Sequence, residues 1–166
     1  MSQLEVFFDY ACPYCLRAHE ALLALLPEFP DVEAVWRPCE AHPRPEHYGP
    51  HSDLCIQGMF FAQEAGVDLW AYHARMYDLC LQRRANVEDI DILAANAHDL
   101  LDAEAFRKAL RSGKYRAVLR TANDYAYKKS GVWVVPAYRM DGRWLDSVED
   151  VGVAEGQLRK FLEGSK

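Results

Sequence analysis

VFFDYACPYCLRAHEAL, Val6 to Leu22, is the stretch on which the fold turns. Leu4 to Phe8 (LEVFF) is a short apolar run rich in β-formers and reads as a strand. A helix is expected from Pro13 to Leu26. Proline suits the first helical position, where its missing N–H would have no partner in any case. Cys15, Ala18, Leu22 and Leu25 fall on one stripe at 3-4-3 spacing, widened by Leu23 and Leu26, and Pro27 and Pro30 end the helix. The tetrapeptide Cys12-Pro13-Tyr14-Cys15 therefore stands on the junction between strand and helix.

Outward from this unit, Val32 to Arg37 reads as a second strand, so the first forty residues form a β-α-β unit with a parallel pair and a right-handed crossover. Cys39 to Pro50 (CEAHPRPEHYGP) is dense in proline and is expected to be a loop. Three helical patterns follow, over Leu54–Ala65, Leu69–Leu81 and, after an Asn86 cap, Val87–Leu101; Asp102 opens a fourth that ends near Gly113. Tyr115 to Lys129 is a helix with Tyr115, Val118, Leu119, Ala122 and Ala126 inward and Gly131 at its C-terminal end. Val132 to Met140 (VWVVPAYRM) reads as a strand interrupted by proline. Asp141-Gly142 is a type I′ hairpin signal leading into a return strand over Arg143–Leu145, and Val153–Leu162 closes the chain as a helix. The expected architecture is α/β, one domain over 1–166. Its core is formed by about 1–40 and 113–166, a mixed sheet flanked by helices, and an all-helical insertion covers about 52–112.

Composition agrees with a globular chain and narrows its chemistry. Of 166 residues, 51% are hydrophobic and 27% charged, which excludes a disordered tail or a collagen-like chain. A chain of this length needs no disulfide or metal staple to fold. Nineteen Lys and Arg stand against 25 Asp and Glu, a net charge of −6, which argues against a nucleic-acid or anionic-membrane partner. The longest aliphatic run, Ala21 to Leu26, is far short of the roughly 20 residues that span a bilayer. The N-terminus MSQLEVFFDY lacks the basic start and long apolar run of a secretory signal, so a cytoplasmic or already trimmed chain is expected. The five cysteines are an odd number, better read as reactive chemistry plus core filler than as a disulfide scaffold.

The reactive part is Cys12 and Cys15. A helix places residues i and i+3 on one face, so the two sulfurs can meet. Free N–H groups and the helix dipole at the start of the helix favour a thiolate at Cys12. Cys15 lies one turn in, on the buried stripe. An exposed attacking thiol and a buried resolving thiol are what thiol–disulfide exchange requires. A CxxC can also be half of a zinc site or arise by chance. No second CxxC occurs here, and a strand–helix junction is the wrong setting for zinc.

VFFDYACPYCLRAHEAL resembles the active-site strand and helix of the thioredoxin superfamily, and GVWVVPAYRMDGRW resembles the Val-cis-Pro strand and hairpin of its DsbA-like oxidoreductases. The helical block between them resembles the insertion of that branch, and WRPCEAHPRPE a segment of its leaderless, FrnE-like members. The resemblance covers essentially the whole chain. It implies a thioredoxin fold, with Cys12 as nucleophile, Cys15 as resolving thiol and Pro136 as a cis-proline facing them. Pro13, Tyr14, Trp133 and the Val135 backbone would then contact substrate. It implies no bound cofactor, since the Cys12–Cys15 pair is itself the redox group, with glutathione as a candidate reductant. Partners would be protein or small-molecule thiols and disulfides. Two positions depart from the family pattern. Val6 stands where many relatives carry a buried acid that takes the resolving thiol's proton, leaving Asp9 or a water to do so. Pro13-Tyr14 is the dipeptide of dithiol glutaredoxins rather than the Pro-His of oxidising DsbA proteins. The function expected is a dithiol–disulfide oxidoreductase, acting as reductase or isomerase. The alternative is a glutathione-dependent transferase or isomerase of the kappa type, whose members usually carry serine in place of the thiol.

Weaker signals point elsewhere. Cys39, His42, His47, His51 and Cys55 form a Cys/His-dense stretch that suits a soft metal or a partner-binding adaptor. Its spacing matches no defined zinc module, and its prolines suit a solvated loop. Cys55 and Cys80 read as buried small hydrophobes, and His19 as an exposed helix histidine. Met59, Phe60, Phe61, Trp70 and Trp133 suit either an apolar peptide groove or ordinary core packing.

Overall fold

The computed structural model describes residues 1–164. β1 (Ser2–Phe8) begins two residues earlier than its apolar run suggests and occupies an interior position in a four-stranded sheet of order β2-β1-β3-β4. It pairs in parallel with β2 (Val32–Pro38) and antiparallel with β3 (Ala137–Met140), which pairs in turn with β4 (Arg143–Asp146). Asp141 and Gly142, with φ of 51° and 75°, make the tight turn between β3 and β4. α1 (Pro13–Leu25) crosses from β1 to β2, burying Cys15, Ala18, His19, Leu22 and Leu25, and packs against α7 (Glu155–Glu163). Between β2 and the hairpin lie α2 (Asp53–Glu64), α3 (Leu69–Tyr77), α4 (Ile90–Ala95), α5 (Ala103–Ser112) and α6 (Arg116–Asp124). Single π-helical turns extend α3 through Gln82 and α6 through Lys129. No helix among the described residues is long and apolar enough to cross a membrane.

Three expectations need correction. The pattern over Val87–Leu101 yields only α4. Asp89 rather than Asn86 is the cap, its Oδ1 accepting the amides of Asp91 and Ile92. The helix stops at Asn96 because Arg75 from α3 takes the Asn96 carbonyl at 2.5 Å, which a continuing helix would have given to Leu100, and pairs bidentately with Asp99. The strand over Val132–Met140 starts only at Ala137: Pro136 has no N–H to give to a ladder, and the Val135–Pro136 peptide is cis. Val118, expected inward, is 41% exposed.

The core is one cluster that runs from under the sheet into the helical layer. Phe8, Tyr10, Trp36 and His73 pack edge-to-face, with ring centroids from 4.4 to 6.0 Å apart, and tie β1 and β2 to α3. Gly58 on α2 is a point of close approach. A Cβ there would sit 2.3 Å from the Tyr72 hydroxyl and 2.7 Å from the Phe106 ring.

His73 is the buried base of this core, 1% exposed, with the Tyr10 hydroxyl 2.7 Å from its Nδ1. Burial, aided by His19, pushes its pKa down to about 3. Folded protein therefore binds fewer protons than the unfolded chain between pH about 3 and the ordinary 6.5. Its contribution is complete above pH 6.5 and declines as the pH falls. Urea unfolding of wild type and His73→Gln at pH 7 and pH 5 checks this. The wild type should lose about 2 kcal/mol more than the variant over that interval. The raised carboxyls of Asp9 and Glu40 are common to both proteins and cancel in the difference. Equal losses would contradict the assignment.

Candidate active site

The chain leaves β1 at Phe8 and enters α1 at Pro13 through a turn organised by Asp9. The Asp9 carbonyl accepts the Cys12 amide at 3.1 Å, and its Oδ1 accepts the Ala11 amide at 2.9 Å. Oδ2 reaches across to accept the Ala41 amide at 2.8 Å, fastening the segment after β2 to the same turn. Burial raises the Asp9 carboxyl above the usual range, opposed by these amides and the Ser52 hydroxyl. Asp9 thus holds the loop together, and it touches Cys15 through its main-chain N–H, 3.5 Å from Sγ, rather than through its carboxylate. Its expected role as proton acceptor for Cys15 finds no hydrogen bond to support it.

Cys12 is the N-cap residue, in extended conformation, with Pro13 following at the first helical position. Its thiol is partly exposed and lies 3.8 Å from the Val135 carbonyl, immediately before the cis-proline. Cys15 is 1% exposed. The two sulfurs experience opposite environments. The Cys15 thiol facing Cys12 contributes most to lowering the Cys12 pKa below its ordinary value, with help from the amides of Cys15 and Tyr14 against the cost of burial. Burial first, and the neighbouring Cys12 second, push the Cys15 thiol well up. The helix start acts as the sequence suggests, but the partner thiol is the larger influence.

A cleft of about 390 Å³ opens over Cys12. Pro13, Tyr14, Trp133 and Val135, the residues predicted to contact substrate, all line it, and Trp133 is 86% exposed. The Tyr14 hydroxyl donates to the Asp150 carbonyl at 2.8 Å. Its ring lies against Gly152, where a Cβ would approach Cδ1 to 3.1 Å, so this edge requires glycine on both space and its φ of 83°. Ser147 donates to the Pro136 carbonyl and holds the cis-proline segment from β4's end. Glu40, Tyr127, Glu149 and Asp150 also line the cleft; no local pattern marks them in the sequence. Glu40 is placed by reciprocal bonds to Asn123 on α6, and the Tyr127 hydroxyl donates to the Glu40 carbonyl.

Other expected features sit elsewhere. Met59 is fully buried, and of the five residues considered for an apolar groove only Trp133 reaches the cleft. His19 is 6% exposed rather than on the surface, because Trp70 and Tyr77 of α3 close over it. Cys39 and Cys55 are both fully buried, while His42 and His47 between them stand in an irregular, exposed segment, the solvated loop that its prolines suit. Among the described residues no group of three or more His, Cys, Asp or Glu is placed to hold a metal ion. Burial pushes the Cys39 thiol up to about 12. Cys55 and Cys80 are core residues as expected, with sulfurs 3.8 Å apart.

Residues 3–159 match the DSBA-like thioredoxin domain family. The protein YwbO of Bacillus subtilis is 28% identical over 171 residues, a match covering 81% of this chain and 84% of that protein. A thioredoxin-like oxidoreductase from Silicibacter pomeroyi superposes with a TM-score of 0.68 at 24% identity, covering 95% of this chain and 82% of the other. Oxidised BdbD from Bacillus subtilis superposes with a TM-score of 0.74 at 13% identity, covering 98% and 85%.

The asymmetry of the two thiols predicts a labelling order. Iodoacetamide at pH 6, followed by mass spectrometry, should modify Cys12 before any other cysteine. Cys15→Ala should slow that reaction, because it removes the thiol that does most to lower the Cys12 pKa. Equal labelling of Cys12 and Cys80 would contradict it.

Proposed function

The chain belongs to the DSBA-like thioredoxin domain family, and from that premise we propose that it is a thiol–disulfide oxidoreductase working through Cys12 and Cys15. The observation that carries the proposal is the pairing of a partly exposed, low-pKa thiol with a buried, high-pKa one beneath an open cleft. Attack on a substrate disulfide falls to the thiolate at Cys12. The cleft receives the substrate's backbone beside Val135, Trp133 offers it an apolar face, and Pro13 and Tyr14 form the floor next to the sulfur. Cys15 then displaces the bound thiol and closes the Cys12–Cys15 disulfide, so two electrons pass from the dithiol to the substrate. The pair needs no bound cofactor.

Protein disulfides are the proposed substrates, and reduction or isomerisation is the proposed direction. The openness of the site to an extended chain supports the first. An odd cysteine count, with three further thiols buried in the core, supports placing the protein in a reducing compartment such as the cytoplasm. There a pair as oxidising as that of DsbA would stand almost wholly reduced, because glutathione poise lies roughly 100 mV or more below it. Glutathione is the proposed reductant.

Dithiothreitol-driven insulin reduction tests this reading. Wild type should accelerate precipitation of the insulin chains, and Cys12→Ser should fall to the uncatalysed rate. Cys15→Ser should retain the first attack but accumulate a mixed disulfide on Cys12. A Cys12→Ser protein as active as wild type would refute the proposal.

A further inference from the structure

Ala41, His42, Pro43, Pro50 and Ser52 line the cleft over Cys12, so the segment after β2 is one of its walls. The start of that wall is fastened by Asp9, whose carboxylate accepts the Ala41 amide. Residues 42–51 are irregular and mostly exposed, with no strand or helix to hold them. Among the described residues, every hydrogen bond or ion pair joining 42–51 to another part of the chain ends on Glu88, just before α4, or on Asp53, at the start of α2. Arg44 supplies one tether, reaching Glu88 at 2.5 Å and Asp53 at 3.6 Å. His51 supplies the other, with a side chain only 11% exposed. Its Nδ1 lies 3.1 Å from the Glu88 carboxylate, and its Nε2 lies 2.7 Å from the Glu46 main-chain carbonyl.

Both neighbours of this ring are acceptors, and that fixes the protonation the geometry needs. A neutral imidazole carries one N–H. Placed on Nε2, it satisfies Glu46 and leaves the Nδ1 lone pair facing a carboxylate. Placed on Nδ1, it satisfies Glu88 and leaves the Nε2 lone pair against a carbonyl. Only the imidazolium donates to both. The surrounding charges agree. The Glu46 carbonyl, and after it Glu88, hold the His51 pKa above the ordinary 6.5, against burial and the charge of Arg44. Burial works to raise the Glu88 carboxyl, but Arg44 and His51 outweigh it and keep it below its ordinary range, so Glu88 is ionised wherever His51 titrates. The groups facing His51 are therefore Arg44 and Glu46 from its own loop and Glu88 from the segment before α4. Glu40, after β2, also senses its charge, Asp53 acts through Arg44, and the Glu46 carboxylate is taken by His42 at 2.9 Å.

We propose that His51 is a proton-controlled pin of the cleft wall: as imidazolium it ties residues 42–51 to the helical layer, and loss of its proton frees the wall and weakens the hold on disulfide substrates. The inference rests on the oxidoreductase reading above. The two bonds are complete at low pH and are lost as the pH rises through the His51 pKa, when one ring proton passes to solvent. A fixed wall needs no ordering when a substrate enters, whereas a freed one does. His51 touches no reacting atom and acts as a positioning residue. Among the groups that shift Cys12 most, none belongs to this loop. The effect of the pin therefore falls on the concentration of substrate that half-saturates the cleft and leaves the maximal rate of attack to the thiols.

The test follows attack of the reduced full-length protein on a fluorescently labelled peptide disulfide in stopped flow, which gives a half-saturating concentration and a maximal rate at each pH. His51→Gln keeps a donor and an acceptor but never carries the charge. The wild-type half-saturating concentration should rise roughly threefold between pH 6 and pH 8.5, an effect of the size one part-exposed ion pair supplies. In His51→Gln it should stay at the high-pH wild-type value throughout. Maximal rates climb with ionisation of Cys12 and should agree between the two proteins at each pH. His42 and His47 titrate in both and cancel in the comparison. The midpoint of the wild-type rise should match the His51 pKa read from imidazole ¹⁵N spectra, and Glu88→Gln should move both down together. Equal pH dependence of half-saturation in wild type and His51→Gln overturns the inference. Should His51→Gln not fold, a midpoint unmoved by Glu88→Gln overturns it. Absence of any attack by wild type would instead overturn the oxidoreductase reading. The pin is then judged by amide hydrogen exchange over residues 42–51. Protection factors there should fall as the pH passes the His51 pKa, and constant protection overturns the inference.

Discussion

The Asp9 turn is the constraint on which the site depends. A strand and a helix that meet at four residues need their loose polar groups satisfied, because water has little access there. Asp9 answers with all its groups. Its carbonyl takes the Cys12 amide, its two carboxylate oxygens take the amides of Ala11 and Ala41, and its own amide points at the Cys15 sulfur. Without these bonds neither the angle at which α1 leaves the sheet nor the position of the segment after β2 would be set. The cleft over Cys12 is bounded by those two pieces of chain and by the cis-proline segment that β3 and Ser147 hold opposite.

From this placement follows the division between the thiols. They are neighbours on one helix face, yet one lies at the rim of a cleft and the other under the sheet. Burial penalises the charged form of both, but Cys12 recovers stabilisation from the Cys15 thiol and two helix-start amides, while Cys15 receives only the weaker Asp9 amide. Each thiol thus adjusts the other: Cys15 favours the thiolate at Cys12, and negative charge at Cys12 holds the proton on Cys15. In the proposed exchange this coupling keeps Cys15 protonated until Cys12 has spent its charge on a substrate.

What was legible in the sequence is what local chemistry encodes. Cys12-Pro13-Tyr14-Cys15 announces a helix start with two thiols on one face, Asp102 and Gly113 bound α5, and Asp141-Gly142 makes the hairpin. The elements that depart from their local pattern depend on groups distant in the chain. α4 ends where Arg75 from another helix captures a carbonyl, and His19 is buried because α3 covers it. The remainder of the cleft was hidden for the same reason. Glu40 reaches its place through Asn123, and Tyr127 through Glu40, pairings of 83 and 87 residues' separation that no periodicity reveals. Asp9 was visible as an acid near the cysteines, but its work is architectural, which only its partners disclose.

Equilibration of the protein in glutathione redox buffers, with thiols counted by mass after alkylation, tests the central claim that Cys12 and Cys15 act as one couple. A single two-electron transition is expected, in which both thiols disappear together and the ratio of oxidised to reduced protein changes tenfold for every 30 mV or so. Its midpoint should lie between roughly −270 and −120 mV, the range spanned by thioredoxin and DsbA. Separate oxidation of the two cysteines, with glutathione adducts persisting on Cys12 while Cys15 stays a free thiol, would contradict it.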